Sequence, residues 1–133
     1  MDKFAYLIVR AGIAMSMLGH GLVRIPQLNS WVEGMVEDFE GSLLPEALVI
    51  PFFYGLPLLE FILGAFLLLG LFTRSTAIVG GFLMGALIFG SCLIENYGSI
   101  PSQILHLSLF VIVIQFIGAN TLALDHSLNR NSL

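Results

Sequence analysis

The chain has 133 residues, 57% of them hydrophobic and only 11% charged, and a net charge of −4. A water-soluble domain carries about a quarter charged residues, and a chain this short cannot hide so much apolar surface in one aqueous core. A soluble enzyme is excluded on that ground, and the lack of any basic tract argues against a nucleic-acid partner. The expected surroundings are a lipid bilayer.

Four stretches are long and apolar enough to cross it: 4–25, 47–72, 75–94 and 101–123. A span needs roughly 20 residues. The runs are continuous rather than alternating, which rules out barrel strands. The expected fold is an all-α membrane protein, a single domain over 1–133 built as an up-down-up-down bundle of four transmembrane helices.

The first span carries Arg10, Ser16, His20 and Arg24. At 100° per residue Arg10, His20 and Arg24 fall within an arc of about 80°, a polar seam on an apolar helix. Arg10 interrupts the apolar run and no small-x-small site follows, so a cleaved signal peptide is not expected. Pro26 ends the span, and Ser30-Trp31-Val32-Glu33 reads as a capping box. Leu28, Trp31, Val32, Met35, Val36 and Phe39 then recur at helical spacing, Glu33, Glu37, Asp38 and Glu40 lie off that stripe, and Gly41 supplies a stop. This predicts an amphipathic helix over about 30–40, lying at the membrane surface. It serves either as a packed connector or as a lid over a pocket in the outer leaflet.

On the second span Pro57, Glu60 and Gly64 share a face. The turn at Thr73-Arg74-Ser75 is so short that spans two and three must be antiparallel neighbours. Span three holds Gly81 and Gly85 as a GxxxG pair, suited to close helix packing or to a dimer face. Cys92 is the single cysteine, which forbids an intramolecular disulfide or a CxxC dithiol. On span four Ser102, Gln103 and His106 share a face and Gln115 lies opposite, so His106 and Gln115 cannot both reach one cavity. Asp125 and His126 read as a solvated tail.

Lys3, Arg74 and Arg130 flank both termini and the second connection, whereas only Arg24 borders the first and no basic residue lies in the third. The positive-inside rule then places both termini in the cytoplasm. In a bacterium the first and third connections face the periplasm.

Ionisable groups inside a span are costly and demand a reason. At about 1.5 Å per residue, His20 and His106 both lie roughly 7 to 8 Å below the outer surface and Glu60 lies near the middle. The outer half of the bundle thus gathers His20, His106 and Glu60, with Arg24 above them, while Arg10 sits near the cytoplasmic end. A carboxyl and an imidazole can hold or pass protons, and an arginine can hold a developing anion. These are the parts that a quinone headgroup requires, with Glu60 and His20 as proton-handling groups and Arg10, His20, Arg24, Glu60 and His106 as candidate binding residues. Three other readings remain open. Arg10 and Glu60 could form an ion pair that only fixes helix register, His20 and His106 could ligate a haem b, or the chain could be a non-enzymatic scaffold or a homodimer. No metal site is expected: Met-Met and Cys-Cys spacings are missing.

The stretch Pro57-Leu58-Leu59-Glu60-Phe61-Ile62-Leu63-Gly64, running on to Leu69-Gly70-Leu71-Phe72-Thr73-Arg74, resembles the heart of the DoxX family, where a glutamate and a glycine precede a GL-x-TR turn. Arg10, the His20-Gly21 pair and a basic residue at Arg24 also fit that pattern. The ending from Gly118-Ala119-Asn120 to Leu124-Asp125 is a loose form of the family's closing signature, without its proline, second glycine and serine. The resemblance implies a four-helix protein of the bacterial inner membrane in the DoxX/DoxD group. Some relatives are subunits of a thiosulfate:quinone oxidoreductase, and others associate with redox or stress-defence partners. It therefore implies a membrane subunit of a redox system with a redox protein partner, and carries over to Arg10, His20, Arg24, Glu60 and Arg74. His106 belongs to no family motif, and relatives bearing a dithiol are poor guides because Cys92 stands alone.

Overall fold

The computed structural model describes residues 1–128. Arg130, on which part of the orientation argument rests, lies outside the described residues. Within them the chain folds into α1 (Lys3–Arg24), α2 (Leu28–Asp38), α3 (Glu46–Leu69), α4 (Thr73–Leu93), α5 (Ile100–Gln115) and the short α6 (Leu124–Ser127). Tight 3-10 turns at Ile25–Gln27 and Ile117–Ala119 follow α1 and α5.

Helix α1 starts cleanly because the Asp2 carboxylate accepts the backbone N–H groups of Phe4 (2.8 Å) and Ala5 (3.2 Å). Those donors hold its carboxyl below the usual carboxylate range. Helices α1, α3 and α4 are each long and apolar enough to cross a membrane, and α5 is an apolar helix of 16 residues, about 24 Å long. Helix α1 packs on α3, α3 on α4, α4 on α5, and α5 back on α1. The ring is an all-helical membrane bundle wound up, down, up and down, as expected.

Glycines set the tightest seam. A Cβ on Gly64 would stand 2.5 Å from the backbone nitrogen of Leu18, and one on Gly21 would stand 2.7 Å from the Pro57 carbonyl oxygen. Helices α1 and α3 therefore touch backbone to backbone at two levels, which no larger residue permits. Between α4 and α5 the same service comes from Gly80, on which the Phe110 ring lies. Gly81 has only ordinary contacts and Gly85 faces open space, so the predicted GxxxG pair does not make the intramolecular seam.

Sequence expectations need correction at Ser30 and at the end of the fourth span. The capping box at Ser30 does not form: the chain turns once through Pro26 and re-enters a helix at Leu28, and the Ser30 hydroxyl donates to the Gln27 carbonyl instead (3.0 Å). Proline is tolerated there because the first turn needs no N–H from it. The fourth span does not run to residue 123 either. Helix α5 ends at Gln115, and the 3-10 turn at Ile117–Ala119 leads to Asn120, whose side chain is held by tertiary partners.

Those partners belong to a polar knot at the end of the bundle remote from α2. The Arg10 guanidinium donates to the Asn120 side-chain oxygen (2.7 Å) and the Leu122 carbonyl (2.9 Å), and the Asn120 amide donates to the Thr73 hydroxyl (3.0 Å). Asp125 is not a solvated tail residue but is fully buried. Its two carboxylate oxygens accept the N–H groups of Phe72 and Thr73, both at 2.7 Å, capping the start of α4 from the far end of the chain. Gly70 adopts a left-handed φ of 66° in the turn below, where Arg10 and Ala123 leave no room for a side chain.

Tyr6, Ile13, Met17, Leu67, Ala77, Phe110 and Val113 are all buried to 1% exposure or less, and they fill the half of the bundle that the knot closes. The other half is hollow.

Candidate functional site

The hollow is a cavity of about 540 Å³ at the α2 end, within the range of roughly 300–1,000 Å³ typical of small-molecule sites. Helix α3 forms one wall with Val49, Phe53, Leu56 and Glu60, α4 another with Met84, Leu87 and Ser91, and α5 contributes Gln103 and His106. His20 and Arg24 close it from α1. It exists because α3 and α4 touch far less than the α1–α3 and α4–α5 pairs do.

Gly21 is what brings its charged pair together. With α1 pressed onto α3 at that residue, Arg24 lies one turn beyond, and helical side chains lean toward the helix N-terminus. One guanidinium nitrogen of Arg24 reaches both oxygens of Glu60, at 2.9 and 2.6 Å. The Glu60 side chain is only 3% exposed, against 26% for Arg24. A carboxylate at this depth stays charged only with a cation beside it, and Arg24 is that cation. Expectation and structure part here, since Arg10 is not the partner of Glu60 and does not line the cavity. About 21 Å of α1 separates it from Arg24 at 1.5 Å per residue, and the knot engages both of its terminal guanidinium nitrogens.

The two histidines predicted at one depth do meet. Their rings stack with centroids 5.9 Å apart and planes 30° from parallel. The Nδ1 of His106 lies 2.7 Å from the Ser102 carbonyl, which can only accept, so Nδ1 carries a proton. In the neutral ring Nε2 then accepts the Ser16 hydroxyl at 2.7 Å. Both nitrogens of His106 are thereby engaged, whereas His20 makes no hydrogen bond among the described residues and presents its ring to the cavity. A bis-histidine haem needs the macrocycle between two imidazoles with nitrogens turned to the iron. Stacked rings, one with both nitrogens already bonded, do not fit that group. Gln115 is exposed on the opposite face of α5, as the helical wheel requires.

Helix α2 roofs the cavity with the predicted apolar stripe. Val32 and Phe39 are buried, and Leu28, Trp31, Met35 and Val36 pack against the core. Trp31 sets its ring on the Arg24 guanidinium (4.7 Å to the centroid) and its edge on Phe53 (5.6 Å). Phe39 reaches across Phe53 (5.4 Å) and rests on Gly90 of α4. The Tyr54 hydroxyl donates to the Asn29 side-chain oxygen (3.1 Å), pinning the start of the roof to α3.

Sequence reasoning missed one polar pair on the α4–α5 wall. The Gln103 amide donates to the Ser91 hydroxyl at 2.9 Å, while its own side-chain oxygen is buried with no partner among the described residues. The helical wheel groups Gln103 with His106 on one face of α5, but nothing in the sequence singles out Ser91 as its neighbour on α4.

No curated protein and no solved structure matches the chain. The DoxX family model matches residues 5–91, a stretch that takes in Arg10, the His20-Gly21 pair, Arg24, Glu60, Gly64 and the Gly70–Arg74 turn. The match stops short of α5, which supplies His106, and of the tail that supplies Asp125. It covers well over half of the sequence and the whole Arg24–Glu60 wall, and the chain therefore belongs to the DoxX family of membrane proteins linked to redox systems.

Proposed function

We propose that this protein is a membrane subunit of a redox system and that its cavity binds the headgroup of a quinone or quinol. The supporting observation is the meeting of the Arg24–Glu60 pair and the His20–His106 stack in one cavity whose remaining walls are largely apolar. A quinone headgroup is a flat, mostly apolar ring with a polar oxygen at each end. When bound it supplies the electron and proton chemistry, and the chain supplies binding, orientation and proton handling.

Each residue has a distinct part. His20, with no competing hydrogen bond among the described residues, donates to or accepts from one headgroup oxygen. Glu60 keeps lone pairs that Arg24 does not use and takes a proton released there. Arg24 holds Glu60 charged and favours negative charge developing nearby. His106, fixed by Ser16 and Ser102, keeps the His20 ring at a set height. Trp31 and Phe53 cover the cavity and limit water. Electrons pass to or from a partner protein of the same redox system. By the positive-inside rule the α2 end faces the outer side of a bacterial inner membrane and both termini face the cytoplasm.

Trp31 is the only tryptophan, which gives a direct assay. Purified protein in lipid nanodiscs is titrated with a tail-less dimethoxy-methyl-benzoquinone while Trp31 fluorescence is followed. Saturable quenching is expected, with binding weakened about tenfold by His20→Ala, the equivalent of one lost hydrogen bond of roughly 1.4 kcal/mol. Glu60→Gln should insert normally yet abolish quinone-dependent turnover of the assembled system. Non-saturable quenching, or unaltered binding and turnover in both variants, would refute the reading.

A further inference from the structure

We propose that the ligand of this cavity carries an apolar tail, and that the tail leaves sideways into the bilayer through a slot between the α2-end halves of α3 and α4. The inference rests on the headgroup reading above and adds the ligand's shape and its route.

The rim of the cavity changes character around its circumference. At the surface, beside the ends of α2 and α4, it is polar: Asp38 and Asn96 line it and are exposed. Lower down, along α3 and α4, it is apolar. Leu48 and Phe52 on α3, and Ala86 and Phe89 on α4, line the cavity and are exposed as well. The exposures are large, 60% for Leu48 and 61% for Phe89, so these side chains border both the hollow and the outside.

Depth places Phe52 and Phe89 on the hydrocarbon side of that border. Phe52 lies six residues inside the start of α3 and Phe89 four residues inside the end of α4. At 1.5 Å per residue the two lie about 9 and 6 Å below their helix ends, at nearly one level. Helices α3 and α4 also touch far less than the α1–α3 and α4–α5 pairs do. A wholly polar ligand would gain nothing from an apolar slot at that depth, and the charged groups Arg24 and Glu60 would reject a wholly apolar one. A polar head on an apolar tail satisfies both ends: the head meets His20 and Glu60, and the tail lies between Phe52 and Phe89 among acyl chains.

The test compares two probes with one headgroup, the tail-less dimethoxy-methyl-benzoquinone and the same ring bearing a decyl chain, by Trp31 quenching in nanodiscs. Ala86→Phe should fill the slot and weaken the decyl probe about tenfold, as overpacking of a close-fitting apolar site does, while the tail-less probe binds as to wild type. Leu48→Phe, on the facing helix, should act in the same direction. Wild type is expected to bind the decyl probe more tightly than the tail-less one. If wild type binds both probes but the variants weaken both equally or neither, the slot is wrong and the headgroup site stands. If wild type binds neither, the headgroup reading fails and this inference fails with it.

Discussion

Arg24 and Glu60 are 36 positions apart in the chain, yet one guanidinium nitrogen sits between both carboxylate oxygens, at 2.9 and 2.6 Å. The contact depends on Gly21, because a single methyl there would push α1 off α3. It also gives the hollow half of the bundle a charged wall with no net charge, which hydrocarbon tolerates better than either ion alone.

Removing only the cation should therefore be worse than removing both partners. Arg24→Met leaves the buried Glu60 carboxylate unpaired and should cost about 3–5 kcal/mol, whereas the Arg24→Met/Glu60→Met double variant should recover most of that loss. Unfolding in mixed detergent micelles measures both. If the double variant lost the sum of what Arg24→Met and Glu60→Met lose separately, the pair would not be coupled.

The hydrogen bonds of His106 fix its tautomer. Nitrogen NMR of the imidazoles should find its proton on Nδ1, held by the Ser102 carbonyl. Ser16→Ala should shift the Nε2 resonance and lower stability by about 1 kcal/mol, the usual worth of one hydrogen bond. A proton found on Nε2 in the neutral ring contradicts the assignment.

Asp125 should matter for folding and not for the cavity. Asp125→Ala removes two charge-assisted bonds at the start of α4 and should cost about 3 kcal/mol. Quenching of Trp31 by the benzoquinone, in the fraction that stays folded, should be unchanged. Loss of binding at full stability would mean that the two ends are coupled.

The glycines should sort by what faces them. Gly64→Ala places a methyl against the Leu18 backbone and should cost about 1–3 kcal/mol through forced separation of α1 and α3. Gly85→Ala faces open space and should be neutral or gain up to about 1 kcal/mol of helix propensity. Equal effects in the monomer would overturn the packing account, and a large loss at Gly85 seen together with loss of a dimer would identify a subunit contact.

Much of the architecture was legible in the sequence because each signal was local. The apolar lengths announced the helices, the spacing of Trp31, Val32, Met35 and Phe39 announced the buried stripe of α2, and helical rise alone matched the depths of His20 and His106. Two errors came from side chains that took partners other than the expected ones, one nearby and one distant. Ser30 looked like a cap and Asn120 looked like part of a span, but one bonds back to Gln27 and the other is captured by Arg10 and Thr73.

Composition and periodicity determined that the chain lives in lipid, how many apolar helices it makes, and at what height each polar group sits, since rise and hydropathy act residue by residue. Only the tertiary structure decided which cation serves which acid. Arg24 rather than Arg10 reaches Glu60, Asp125 turns inward to cap α4, and the α2 end stays hollow while the other end fills. Such choices depend on how closely two backbones approach, and that distance is set by a glycine on one helix meeting a backbone on another, which no single stretch of sequence contains.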